Sequence, residues 1–142
     1  MTSPKTVRDA ILTLLQTADP QNGKEDKIKK WFKTQLKQAS WPSSPFAWVE
    51  YGGGPLKPGI STRSEVQDKF YVVVIDQHAK EEVAEDSVLD FADSIKTALA
   101  TDMTLGGTVL RSWVSNREKE KLFEKDYSLV GVRLTVETRR YE

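Results

Sequence analysis

The chain has 142 residues, with 21 basic against 21 acidic side chains, one histidine and no cysteine. At 38% hydrophobic and 30% charged residues it has the composition of one globular domain spanning 1–142, and disulfides, thiolate nucleophiles, cysteine-ligated zinc or iron–sulfur centres and His-rich metal sites are all excluded. The longest apolar run, residues 71–75, falls far short of the ~20 residues that span a bilayer, and residues 1–5 lack the apolar stretch of a secretory leader, so a soluble, non-secreted protein is expected.

Residues 3–16 place Val7, Ala10, Ile11, Leu14 and Leu15 at helical spacing, with Ser3 suited to cap and Pro4 to open a helix. Asp19-Pro-Gln-Asn-Gly23 breaks it. A second helix is predicted over 24–39, where Ile28, Trp31, Phe32, Leu36 and Ala39 share one stripe and lysines fill the rest. Trp41-Pro-Ser-Ser-Pro45 then links to a strand over 46–51. The breaker-rich run Gly52-Gly-Gly-Pro-Leu-Lys-Pro-Gly59 opens a loop that continues to Arg63. A strand follows over 66–77, apolar on both parities from Phe70 to Ile75 as expected of a strand covered on both faces. Val88, Phe91, Ala92, Ile95 and Leu99 give a helix over 81–100 its apolar face. It stops at 101–107, where Gly106 and Gly107 supply permissive backbone before a strand over 108–115. A polar connection, 116–126, leads to a half-buried strand over 127–138, in which Val130, Val132, Leu134 and Val136 alternate with polar or small residues. The predicted order is helix, helix, strand, strand, helix, strand, strand: an α+β domain with a four-stranded, mainly antiparallel sheet and helices packed on it.

Zero net charge conceals a division. The first 41 residues carry eight basic against four acidic side chains, and residues 76–93 carry seven acidic against one basic, Lys80. Segregation of this kind suits complementary faces that meet between identical subunits, or simply solvated surfaces.

The available chemistry is sparse. His78 is the one side chain whose ordinary pKa lies near neutrality, but no nucleophile elbow accompanies it. Asp86, Asp90 and Asp93 lie one turn apart, as oxygen ligands of a cation would, yet they fit no EF-hand loop, so a solvated helix face is expected. The glycine-rich run fails as a phosphate loop because Lys57 is followed by Pro58. Lys27, Lys29, Lys30, Lys33 and Lys37 around Trp31 and Phe32 suggest nucleic-acid binding through a basic helix over 24–37 as the alternative function, although rings on the apolar stripe should be buried. No enzyme, metal or cofactor is expected.

Asp93-Ser-Ile-Lys-Thr-Ala-Leu-Ala-Thr-Asp102, Thr104-Leu-Gly-Gly-Thr-Val109 and Tyr127-Ser-Leu-Val-Gly-Val-Arg-Leu-Thr-Val-Glu137, followed by Arg139 and Arg140, together resemble the tail terminator family of long-tailed bacteriophages, also described as tail-completion or minor tail proteins. The resemblance covers about the last 50 residues and extends by element order to the sheet from Val66; the first 45 residues depart from the pattern. It implies a non-catalytic virion protein that assembles in the host cytoplasm as a hexameric ring. The ring would cap the completed tail tube at its head-proximal end, stop polymerisation and meet the tail tube protein and a head-completion or connector protein, with DNA only passing through the lumen and no membrane involved. Ring closure needs two different patches that meet on successive copies. The candidates are Asp86, Asp90 and Asp93 on the acidic helix and Lys29, Lys30 and Lys33 on the basic segment, with Lys57 and Arg63 on a loop that orders on docking. Asp102, Gly106 and Gly107 are assigned to turn geometry.

Overall fold

The computed structural model describes residues 3–22, 26–35, 45–54, 65–120 and 129–141. Helix α1, Pro4–Ala18, opens on Ser3, whose Oγ accepts the Thr6 N–H at 3.2 Å. It closes on Asp19 at φ 52°, whose N–H returns to the Leu15 carbonyl at 3.0 Å. An aspartate tolerates this left-handed conformation better than most side chains. Val7, Ile11, Leu12 and Leu15 are buried along one side, and each contributes roughly 1.5–3 kcal/mol.

No second helix follows in the described part of 24–39. Strands β1 (Gln21–Asn22) and β2 (Asp26–Lys27) form a two-residue antiparallel ladder, and β3 (Lys30–Phe32) pairs in parallel with the start of β4 (Phe46–Gly53). Two physical facts defeat the helical prediction. Lys29–Lys33 and Lys30–Lys33 would be like-charge neighbours at helical spacing, which opposes a helix. The rings also divide with period two: Trp31 packs against the core beneath the helices, whereas Phe32 packs on the opposite sheet face, 6.5 Å edge-to-face from Phe46.

The remaining elements are β5 (Glu65–Gln77), α2 (Glu81–Ala100), β6 (Arg111–Lys119) and β7 (Leu129–Tyr141). The main sheet therefore has five strands rather than four, in the order β3-β4-β5-β7-β6, parallel between β3 and β4 and antiparallel elsewhere. Among the described residues there are two helices rather than three, and the architecture is α+β with a mixed sheet. Helix α2 carries the chain from β5 across the sheet to the β6 edge.

Alternation decides which side chains meet the helices. Val72 and Val74 of β5 and Val130, Val132, Leu134 and Val136 of β7 join the buried faces of α1 and α2 in the main core. Val73 and Ile75 point the other way, into a smaller cluster with Phe46 and Trp48, so β5 is apolar on both parities because both its faces are covered. Gly131 sits where a Cβ would lie 2.4 Å from the Ile75 Cδ1, so any larger residue there would have to displace the Ile75 side chain. Strand β6 begins later than its sequence pattern suggests and runs further: the Gly106–Gly107 turn extends through Val109, whose N–H donates to the Thr104 carbonyl at 3.1 Å, while exposed residues 115–119 complete the edge.

Candidate interaction surfaces

Helix α2 buries Ala84, Val88, Phe91, Ala92 and Ile95 against the sheet and turns its acids outward. Glu81 and Glu82 lie in the first turn, where the helix dipole favours negative charge. Glu82, Glu85, Asp86 and Asp90 are exposed and form no ion pair among the described residues, so the acidic face keeps its field. Asp93 is different. Its carboxylate accepts Arg117 of β6 at 2.7 Å, and Glu81 lies 3.9 Å from Lys119. A β-bulge between Val114 and Asn116 arranges this, since the extra residue puts Arg117 and Lys119, rather than Asn116 and Glu118, on the side facing α2. Of the three aspartates singled out in the sequence, Asp86 and Asp90 are thus without an ion pair among the described residues.

Lys29, Lys30 and Lys33 are exposed on and around β3, the sheet edge opposite β6. Strand β3 packs on β4, whereas α2 lies over β1, β5, β7 and β6. Lys57 and Arg63 lie outside the described residues.

The 101–109 turn is built around Asp102. Its carboxylate accepts the Gly106 N–H at 2.8 Å, the Thr104 hydroxyl at 2.8 Å and the Thr104 N–H at 3.2 Å. The Gly106 bond and then the Thr104 hydroxyl hold its carboxyl below the usual carboxylate range. Leu105, Gly106 and Gly107 follow at φ 50°, 69° and 82°. Burial of the Leu105 side chain offsets the cost of its left-handed backbone.

His78 has a partner that sequence spacing did not reveal: its Nε2 lies 3.0 Å from Asp76 Oδ2, and Asp76 is buried. The same carboxylate oxygen accepts the Ser87 hydroxyl, and Oδ1 accepts the Gln77 N–H. The Asp76 carboxylate thus stands between the imidazole and the hydroxyl, with the same oxygen bonded to both. The cluster ties the end of β5 to the first turns of α2. Among the described residues no three His, Asp or Glu side chains gather as a metal site, and no helix is long and apolar enough to cross a membrane.

Three features escaped the sequence reading. Asp68 and Arg140 form a buried ion pair at 3.1 Å, and Asp68 also accepts the Tyr51 hydroxyl. Partial burial, and then the Asp68 charge, push that phenol's pKa above its ordinary value. On the opposite sheet face Arg133 makes two parallel bonds to Glu120, at 2.8 and 2.9 Å, and its guanidinium lies 4.7 Å over the Tyr71 ring. Both pairs join residues distant in sequence or hidden in a charged stretch.

The third is a groove of about 620 Å³ at the start of β6, lined by Gln67, Leu110, Arg111, Trp113, Arg139 and Tyr141. Leu110 is 50% exposed and Tyr141 47%, and the Arg111 guanidinium lies 5.8 Å from the Trp113 ring centroid. Trp113 also borders a smaller hollow of about 210 Å³ on the α2 side, with Met103, Leu99 and Lys96. Exposed Leu110 and Tyr141 beside a half-buried Trp113 and two arginines are residue types common at interface centres.

No family model matches the sequence. No curated protein is similar to it either. Among solved structures, the chain is similar to a chain of the virion of a native gene transfer agent particle, at 12% identity and a TM-score of 0.44, over 96% of this chain and 92% of the other. A likeness that distant assigns neither fold nor role.

Proposed function

We propose that this chain is a structural virion protein of the tail terminator type, which closes head-to-tail into a ring, caps the tail tube and presents the face that joins the head. It acts by shape and not by catalysis. The carrying observation is the separation of charge: Glu82, Glu85, Asp86 and Asp90 of α2 form no ion pair among the described residues, while Lys29, Lys30, Lys33 and Arg111, likewise without one there, stand on or beside the two edge strands of the sheet. Opposite charges that cannot meet within one chain can meet between copies, and a contact between two different patches repeats until it closes. The resemblance over 93–140 supplies the tail. In the fold that segment is the second half of α2, the Asp102 turn and the β6–β7 pair.

The nucleic-acid alternative rested on a basic helix, and the described residues 26–35 form strands and bends instead, with Trp31 and Phe32 engaged in packing. The deciding experiment is electron microscopy of tails assembled with and without the chain. Overlong or headless tails in its absence are expected, and tails of normal length joined to heads would end the proposal.

A further inference from the structure

The ring reading leaves open which surface receives α2, and two basic surfaces compete for it. The lysines around β3 are long, solvated side chains whose surface ion pairs contribute at most about 1 kcal/mol each. The groove at the start of β6 combines cations with exposed apolar anchors. Helix α2 carries the matching pattern, since Val83 is 44% exposed and Leu89 36%, and they flank Asp86 and Asp90. Both apolar side chains therefore stand among carboxylates on the outward face, about 9 Å apart along the axis.

Resting on the ring reading, we propose that the Leu110–Arg111–Trp113 groove is the receptor for the outward face of α2 from a second copy of this chain. Leu89 and Val83 would enter beside Leu110 and Trp113, with Asp86 or Asp90 against Arg111. Three observations carry it. Among the described residues no carboxylate lines the groove and Arg111 forms no ion pair. The acids of α2 have none either, apart from Glu81 and Asp93. Gln67, Arg111, Trp113, Arg139 and Tyr141 lie on the sheet face away from the helices, given their register opposite one another and the placement of α2 over the other face. Patch and receptor are thus on opposite layers, so they join successive copies and never one chain to itself.

The absence of cysteine makes the contact directly readable. A full chain carrying both Leu89→Cys and Leu110→Cys, mildly oxidised under conditions where the wild type sediments as an assembled species, is expected to yield covalent multimers well beyond a dimer. Each single variant should stop at dimers, and Leu89→Cys with Lys30→Cys should yield no multimer series. Arg111→Glu is expected to weaken assembly at least tenfold, about the effect of losing one interface hot spot, and adding Asp90→Arg to the same chain should recover most of it. Thermal unfolding of each variant shows whether the monomer is intact. An assembled species that cross-links through Lys30→Cys and not Leu110→Cys, or that is indifferent to Arg111→Glu, would overturn this contact while leaving the ring standing. A wild type that assembles under no condition, alone or with tail tubes, would overturn the ring reading and this contact with it.

Discussion

Asp102 shows how one side chain can organise a turn. Its carboxylate gathers two backbone N–H groups and a hydroxyl across four residues, and the two glycines beyond it take the left-handed conformations that the path requires. A carboxyl whose folded pKa is depressed contributes stability above its unfolded pKa and loses it as the pH falls through the folded one. Asp102→Ala is therefore expected to unfold more easily than the wild type at pH 7, with the difference shrinking as the pH falls through the lowered folded-state pKa of Asp102. Urea titrations across that range would check it, and a gap that stayed constant into acid would show that charge has no part in the turn. Thr138 makes the opposite case. It is fully buried, and its hydroxyl has no hydrogen-bond partner among the described residues. Thr138→Val keeps the shape and removes the unpaired group, so the protein should be unchanged or up to about 1 kcal/mol more stable by chemical denaturation. A clear loss would mean that the hydroxyl is satisfied in solution. Neither feature could be read in full from the sequence. The glycine pair and the preceding aspartate announced a turn, whereas the isolation of Thr138 depends on what surrounds it.

At the scale of elements, α2 was legible to its ends and the basic segment was not. The apolar stripe of α2 runs for five turns and nothing competes with it. In the basic segment Ile28, Trp31 and Phe32 fit a helical stripe as well as a strand, because three apolar residues at short spacing do not distinguish period 3.6 from period two. The free edge of β4 settled the matter by offering backbone partners. The β6 edge carries a subtler instruction in its bulge, which keeps Arg117 and Lys119 over the acids of α2. Deleting Ser115 should remove the extra residue, leave those two side chains in phase, and change stability by less than about 1 kcal/mol, as expected for a loosely constrained edge. Deleting Thr135 from the central part of β7 should turn the rest of that strand inside out and unfold the protein. Urea denaturation of the two deletions compares them, and equal damage from both would show that the bulge does more than hold phase.

For the whole molecule, the question is where the unpaired charge goes. Replacing Glu85, Asp86 and Asp90 with Lys should leave the unfolding midpoint close to that of the wild type, because these side chains are exposed, lie beyond the first turn of α2 and form no ion pair among the described residues. Assembly should nevertheless be lost, as read by sedimentation and by tail length. Asp93 is left out because its reversal would also break the pair with Arg117. Normal assembly by the triple variant would remove electrostatics from the ring.

Composition, the absence of thiols, the faces of α1 and α2, the alternation of β7 and the double-sided burial of β5 were all written in local order, because each depends on a period that neighbouring residues display. Strand count, the parallel β3–β4 pair, the joining of Asp68 to Arg140 and of Arg133 to Glu120, and the gathering of Leu110, Trp113, Arg139 and Tyr141 around one groove were not. These features bring together residues far apart along the chain, and their partners are selected by hydrogen-bonding edges and close packing that exist only once the sheet has formed.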